Sequence, residues 1–417
     1  MVYLSVINKI NLISSTQSEN LVKTAVIVDA VRTASGRGKP GGALSETHPV
    51  DLYARVLLTL VERNDLDPGL INDVISGCVS QVGEQSVNLS RSAALSAGFP
   101  VHVPGTTIDR QCGSSQQAAH FAAQGVMAGV YDVVVAGGVE VMSRVPLGTS
   151  SMGRQPRGEL FRERLPGLVN QGVSAELIAA KWKIPRGDVD DFSAESHRRA
   201  AAAQAAGGFA NEIVPVTVRT ADGGTIVHDV DETVRPGTTV ESLRTLKSSF
   251  YSDELAERFP EIGWHVTAGS SSPLTDGASA LLIMSEEKAL SLGLRPRARF
   301  HSFSVIGDDP LYMLTAPIPA THMVLERAGL SLEDIDAFEV NEAFAPIPLA
   351  WSREFPVDPA KLNPCGGAIA LGHPLGGSGT RLMTTLLNHL EQTGGRFGLQ
   401  TMCEGGGLAN ATIIERL

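Results

Sequence analysis

The sequence predicts an α/β protein in which β-strands alternate with helices. Three observations carry that expectation. Short apolar, β-branched runs alternate with helical stretches towards both ends of the chain. Glycines gather where the strands end rather than spreading evenly. The two ends also echo each other: a helix opened by Gly113 leads into a strand reaching Gly137-Gly138, and a helix opened by Gly379 leads into a strand reaching Gly405-Gly406. The spacings are 24 and 26 residues, which suggests a duplicated unit.

The elements follow in order. Residues 1–22 read as a loosely ordered arm or the product of an upstream start codon. A strand fits 25–31, and a helix over 51–63 places Leu52, Val56 and Leu60 on one face. A strand at 73–79, a helix at 88–98 ended by Gly98, a strand at 105–111, a helix at 113–129 and a buried strand at 132–138 complete the first run. From about 143 to 265 the texture changes. Arg154, Arg157, Arg162 and Arg164 lie among Pro156 and Pro166, ahead of helices at 173–183 and 188–206. This stretch reads as an insertion that covers something. From about 280 the alternation resumes, with strands at 298–306, 335–340, 397–403 and 410–416 and helices at 318–328, 344–353 and 380–392.

Composition excludes several classes of function. A chain of 417 residues has ample length for a full core. With 34 Lys and Arg against 45 Asp and Glu, the net charge is −11, so nucleic acid and anionic membrane are poor bulk partners. A polyanionic ligand would need a local basic patch. Four cysteines, with no CxxC and no zinc spacing, argue against a disulfide scaffold or a metal site and for a reducing, cytoplasmic setting. No apolar stretch approaches the length of a membrane span.

The motifs divide into one decoy and a set that converges. Gly36, Gly38 and Gly41 match GxGxxG, but Pro40 stands where a helix should open to receive a pyrophosphate. Cys112 lies between a strand and a helix that starts Gly113-Ser114-Ser115. Free N–H groups at a helix start favour thiolate over thiol, although a buried structural Cys fits the same pattern. In GGAIALGHPLGGSG (366–379) six of fourteen residues are Gly, which is costly in chain entropy unless backbone must approach something closely. Its one His, His373, is a candidate base. In CEGGGLAN, Cys403 ends a strand and runs into glycines whose N–H groups could hold an oxyanion, or simply make a tight turn. Asn341, after the strand ending at Val340, could cap a helix or serve the site. Two thiols, one His and two glycine-rich turns at strand ends suit Claisen chemistry on thioesters, with one thiol as acyl acceptor and the other handling a carbon-bound proton.

These segments resemble the thiolase family across about 23–417. The carriers are RQCGSSQQA around Cys112, GGVEVMS (137–143), TAGSSSPLTDGAS (267–279), NEAFA (341–345), GGAIALGHPLGGSG and CEGGG. The wording around Cys112 and the C-terminal TMCEGGGLANATIIERL look most similar to actinobacterial thiolases of lipid or steroid side-chain breakdown. The resemblance implies a five-layer αβαβα fold from two similar halves. They would span 23–142, completed by about 266–293, and 294–417, with an inserted loop domain at 143–265 over the CoA site. It implies homodimers, often paired into tetramers, no permanent cofactor, no metal, and CoA and acyl-CoA as substrates.

By the same resemblance Cys112 is the acyl-accepting nucleophile, and His373 deprotonates Cys112 or CoA. Cys403 exchanges the α-carbon proton of acetyl-CoA. Asn341 holds a water that forms one oxyanion hole with His373, and the N–H groups of Cys112 and Gly405 form the other. Arg235, Ser242, Ser272, Met313 and Phe344 fall at CoA or acyl contacts. The chain departs from the usual family pattern at Ser115 and Ala409, where Gly is common, at Gln171-Gly172, and across Met313–Pro317. The implied activity is reversible cleavage of 3-oxoacyl-CoA by CoA. The alternatives are a ketosynthase-type condensing enzyme, which typically has His in place of Cys403, and a non-catalytic acyl-CoA-binding protein.

Overall fold

A computed structural model describes residues 22–219 and 223–417, so the expected arm falls outside the described residues apart from Val22. The first part holds strands β1 (Ala25–Thr33), β2 (Gly36–Arg37), β3 (Asp73–Gly77), β4 (Gly105–Ile108) and β5 (Val133–Val141), with helices α1 (Pro49–Arg63), α2 (Leu89–Ser96) and α3 (Ser114–Met127). Next come α4 (Glu159–Arg164), α5 (Gln171–Lys181), α6 (Arg186–Ala205), β6 (Ile213–Val214), a ribbon of β7 (Val216–Arg219) and β8 (Thr225–His228), then α7 (Val240–Arg244) and α8 (Asp253–Arg258). The remainder is β9 (Thr275–Ser285), α9 (Glu286–Ser291), β10 (Ala298–Gly307), α10 (Pro317–Ala328), β11 (Ala337–Val340), α11 (Pro346–Glu354), α12 (Ala368–Leu371), α13 (Ser378–Thr393), β12 (Phe397–Glu404) and β13 (Leu408–Arg416).

The main strands run in the order β11-β12-β13-β10-β1-β9-β5-β3-β4. The two halves meet where β1 pairs with β10 through Val26–Arg299 and Ile27–Ala298. Alternation along the strands assigns side chains to layers. Val26, Val28 and Val31 of β1 face a core shared with α1 and α2, while Ala25, Ile27 and Ala30 face a core shared with α3 and α13. On the far side, Leu399, Ala411 and Ile413 pack with Val324 of α10 and Trp351 of α11. Helices α3 and α13 therefore lie between the two halves, and α1/α2 and α10/α11 cover the outside. This is the five-layer αβαβα arrangement.

The pairings repeat between halves. β3 runs parallel to β5, β5 antiparallel to β9, and β9 antiparallel to β1. β11 runs parallel to β12, β12 antiparallel to β13, and β13 antiparallel to β10. The duplication read from the glycine spacing is thus a duplication of topology. The segment between β5 and β9 is tied to the frame by a buried ion cluster. Arg32 of β1 donates to Glu212 at 2.6 Å and to both oxygens of Asp231 at 2.7 and 3.0 Å. An unpaired guanidinium at this fully buried position would be costly, so all three groups have to stay together.

Three local expectations change. The strand expected over 105–111 ends at Ile108, because Gln111 takes a left-handed conformation (φ 49°) that turns the chain into α3. The eleven-residue strand β9 was not foreseen as an element; it is buried on both faces, so it shows no alternation. Gly36-Arg37 pairs with β9, and the next helix opens only at Pro49, so the GxGxxG match frames no dinucleotide loop.

Candidate active site

The duplicated frame aims two helix starts at one place. Cys112 precedes α3, and His373 precedes α13. They meet over Gly77 at the end of β3: a Cβ there would lie 2.5 Å from the Ser115 nitrogen and 2.6 Å from the Gly376 oxygen. Ser115 completes the junction, since its hydroxyl accepts the Thr380 N–H of the first turn of α13 at 3.0 Å. The residue that departs from the usual family Gly is therefore a side-chain cap supplied by the opposite half.

The glycines of 366–379 are explained by close approach. A Cβ on Gly138 would lie 2.2 Å from the Gly376 oxygen, and one on Gly379 would lie 2.3 Å from the Gln116 nitrogen. Glu140 holds this loop in place. Its buried carboxylate accepts the N–H groups of Gly376 and Val79 at 2.9 Å each, that of Ser80 at 3.0 Å, and the Gln85 amide at 2.8 Å.

His373 is 4% exposed. Its Nδ1 lies 2.5 Å from the Ser378 hydroxyl, which in turn donates to the Pro374 carbonyl at 2.8 Å. A hydroxyl has one proton, so Ser378 accepts from Nδ1–H, and Nε2 is left as the bare nitrogen. Among the described residues Nε2 has no hydrogen-bond partner. Burial, and then the nearby Arg381 charge, push the His373 pKa down to about 3. The ring is therefore a neutral imidazole with its lone pair free.

Cys112 and Cys403 are both buried and free, and near enough that charge on one opposes charge on the other. The Cys112 sulfur receives the backbone N–H groups of Gly405 and of Cys112 itself. Sequence reasoning expected the helix start to favour its thiolate. Instead burial, followed by the proximity of Cys403 and Glu404, pushes the thiol well up, and the two N–H groups offset only part of this. The resting pair is thiol and imidazole, and the thiolate needs a base to form. Cys403 is pushed up to about 12, chiefly by burial, while the Asn341 amide beside it favours its thiolate. Asn341 is anchored by its N–H to the Thr401 carbonyl at 3.1 Å, and neither end of its amide has a full hydrogen-bond partner.

The remaining predicted residues form two groups. Met313, at φ 53°, packs with Cys403, Ala343 and Ile347, with Phe344 at the edge of the same cluster. Phe344 meets Phe250 edge-on, with centroids 5.8 Å apart, and the Ser272 N–H donates to the Ala343 carbonyl at 3.0 Å. Met313 and Phe344 therefore share a cluster with Cys403, and Ser272 is tied to it through Ala343. Arg235 and Ser242 lie out on the surface of the 143–265 segment. Arg235 is exposed and held by its N–H to His197 Nδ1 at 3.2 Å. The Ser242 hydroxyl donates to the Thr239 carbonyl at 2.7 Å, so its proton already serves the cap of α7.

Sequence reasoning missed Glu140, Ser378 and Ser115 as working parts. Each carried a faint signal: a lone acid in an apolar strand, a Ser five residues after the His, and a Ser in the first turn after the Cys.

Two buried thiols, a bare imidazole nitrogen and converging backbone donors are the groups that acyl transfer through a thiol nucleophile requires. Comparison with known proteins narrows the class. Residues 25–287 match the thiolase N-terminal domain, and residues 294–416 match the thiolase C-terminal domain. The chain is 49% identical over 403 residues to the steroid 3-ketoacyl-CoA thiolase FadA6 of Mycobacterium tuberculosis, covering 94% of each chain. It is 46% identical over 400 residues to a 3-ketoacyl-CoA thiolase of Serratia proteamaculans, covering 95% of this chain and 100% of that one. The crystal structure of the Bacillus anthracis acetyl-CoA acetyltransferase superposes with a TM-score of 0.85 at 38% identity, over 96% of this chain and 100% of that one. The chain belongs to the thiolase family of acyltransferases.

Proposed function

We propose that the enzyme cleaves 3-oxoacyl-CoA with CoA through an acyl-Cys112 intermediate. His373 Nε2 takes the Cys112 proton, and the thiolate attacks the 3-keto carbon. The N–H groups of Cys112 and Gly405 hold the oxyanion. The bond between carbons 2 and 3 breaks, and the Cys403 thiol protonates the departing acetyl-CoA carbanion. A water held by Asn341 forms, with His373, the oxyanion hole for the enolate oxygen of that thioester. His373 then deprotonates CoA, whose thiolate takes the acyl group from Cys112. The reverse direction condenses two acetyl-CoA into acetoacetyl-CoA. The observation that most supports this reading is that both thiols share one buried site, one under two backbone donors and the other beside the unpartnered Asn341 amide.

The same proposal places CoA along the 143–265 segment. Arg235 lies towards the phosphates, with the Ser242 region beside it. Ser272 meets the pantetheine arm, and Met313 and Phe344 line the acyl end. A homodimer or dimer of dimers is supported by β4, an outermost strand whose one edge is unpaired among the described residues, a few residues from Cys112. Among the described residues no helix is long and apolar enough to cross a membrane, which is compatible with a cytoplasmic enzyme.

The test is thiolysis of a panel from acetoacetyl-CoA to long-chain and ring-bearing 3-oxoacyl-CoAs, followed by loss of the 3-oxoacyl absorbance. Parent enzyme should cleave at least one member, and Cys112→Ser should lose roughly four orders of magnitude or more. Cys403→Ser should still form the acyl-enzyme yet turn over slowly. Turnover by Cys403→Ser at the parent rate would remove the proton-exchange role.

A further inference from the structure

One buried acid next to the site has no part in those steps. Glu404 follows Cys403, ends β12 and is fully buried. Its carboxyl lies over Gly113, the residue after Cys112: a Cβ on Gly113 would stand 1.8 Å from Glu404 Oε1. Among the described residues neither carboxyl oxygen has a full hydrogen-bond partner, and the Asn410 backbone N–H is the one donor near enough to favour its charged form. A carboxylate at a helix start is ordinarily favoured by the first-turn N–H groups. Here none of them bonds it.

The strand register shows what the group faces. Glu404 stands opposite Leu408, Met402 opposite Asn410, and Gln400 opposite Thr412. Glu404, Asn410 and Thr412 therefore share the face turned towards α3, where Gln116 and His120 bond the Thr412 hydroxyl at 2.7 Å each and the Asn410 amide donates to Gln117 at 3.3 Å. On that face Asn410 Oδ1, Gln400 Oε1 and Gln116 Oε1 are further buried acceptors without a donor among the described residues. An ionised Glu404 adds an uncompensated charge to these unmatched acceptors. A protonated Glu404 supplies a donor and removes the charge. The charged or titratable groups around it are Arg110 and Asp109 before α3, Cys112 itself, and Cys403 on its own strand.

We propose that Glu404 is a positioning residue for the nucleophile, held over Gly113 as the uncharged carboxylic acid. It donates a hydrogen bond to the β12–β13 face and keeps negative charge away from the forming Cys112 thiolate. This rests on the thiolase reading. Burial pushes the Glu404 carboxyl well above the usual carboxylate range, in the same direction as the geometry. Once ionised, it opposes ionisation of both cysteines.

The experiment compares the parent with Glu404→Gln and Glu404→Ala. Alkylation of Cys112 by iodoacetamide is followed peptide by peptide from pH 6 to 10, and thiolysis is measured alongside. Gln keeps a neutral donor and cannot ionise. Its alkylation profile should therefore superpose on that of a parent whose Glu404 stays uncharged, with rates at pH 9 within about twofold of each other. Ala, which lacks the donor, should lose at least about tenfold in kcat, and Gln should recover most of that loss. A Glu404→Gln midpoint well below that of the parent, with at least about threefold faster reaction at pH 9, would show that Glu404 is charged while Cys112 ionises and would overturn the proposal. So would a Gln variant as impaired as Ala with the fold intact. Alkylation needs no thioester, so it stands even if every 3-oxoacyl-CoA fails as a substrate, a result that would count against the proposed function instead. If Glu404→Ala does not fold, the comparison of the parent and Glu404→Gln alkylation profiles decides alone.

Discussion

The two halves of the sheet share one order of pairing and differ at the same point in it. In the first half the strand after the central helix, β5, runs on through Gly137-Gly138 to Val141. In the second half the corresponding strand, β12, turns back through Gly405–Gly407 into β13, with φ of 89° at Gly406 and 80° at Gly407. The same glycine signature thus does two jobs. Gly138 gives up its side chain so that the His373 loop can lie on it, whereas Gly406 and Gly407 supply a turn. Chemistry arises from this divergence: one half contributes a floor, and the other contributes the loop that rests on it and the thiol beside the turn.

Alanine at matched positions separates the two jobs. On Gly138 a methyl group meets the Gly376 carbonyl oxygen and the Gly77 carbonyl oxygen, at 2.2 and 2.8 Å, and both are backbone. Gly138→Ala should cost about 3 kcal/mol of stability and displace the His373 loop. On Gly405 a methyl group meets only the side-chain ends of Gln111 and Gln171, at 3.0 and 3.2 Å, and these can move. Gly405→Ala should cost less than about 1 kcal/mol. Urea denaturation of both variants checks the contrast. Equal losses would mean that the two glycine pairs are equivalent after all.

The same contrast explains what was legible in the sequence. Strand and helix order could be read because the apolar runs are local signals, and the repeat could be read because glycine spacing survives duplication. β9 could not: TDGASALLIMS is buried on both faces, and it carries Gly277, whose missing side chain leaves room for Pro374. Cys112, His373 and Cys403 stood out because costly glycines surround them. Glu140 did not stand out, since its partner Gly376 is 236 residues away and nothing local marks the pair. The ionisation of Cys112 was misjudged for a related reason. A helix start can be read from sequence, whereas the burial that outweighs it is a property of the assembled layers.

Each half also buries one neutral histidine, His120 within α3 and His373 before α13, and burial pushes both down to about 3. Unfolded histidine takes up its proton near pH 6.5 and the folded one does not. The unfolded state therefore binds more protons below 6.5, and stability is lost as pH falls through that value towards 3. At pH 5 each group costs about 2 kcal/mol. His120→Gln, which cannot charge, should lose about 2 kcal/mol less than the parent between pH 7.5 and 5. Other titrating groups cancel in that difference. Parallel urea titrations at the two pH values measure it, and an unchanged difference would mean that His120 is protonated within the fold.

The smallest expected effect concerns the junction itself. Ser115 stands at the start of one central helix and accepts the first-turn Thr380 N–H of the other, so it caps α13 from the opposite half. If the halves were merely packed together, restoring the commoner Gly there would change little beyond helix propensity. If the cap couples them, Ser115→Gly leaves a buried N–H without its acceptor and adds a glycine to α3, for a loss of about 1–2 kcal/mol. Ser115→Ala removes the acceptor without adding the glycine and should keep at least half of that loss. Hydrogen exchange at the Thr380 amide reads the coupling directly. It should speed up in both variants, while amides of α1, on the outer layer, keep the parent rate. The His373 loop runs into the first turn of α13, so loosening that turn reaches the base before it reaches the rest of the core.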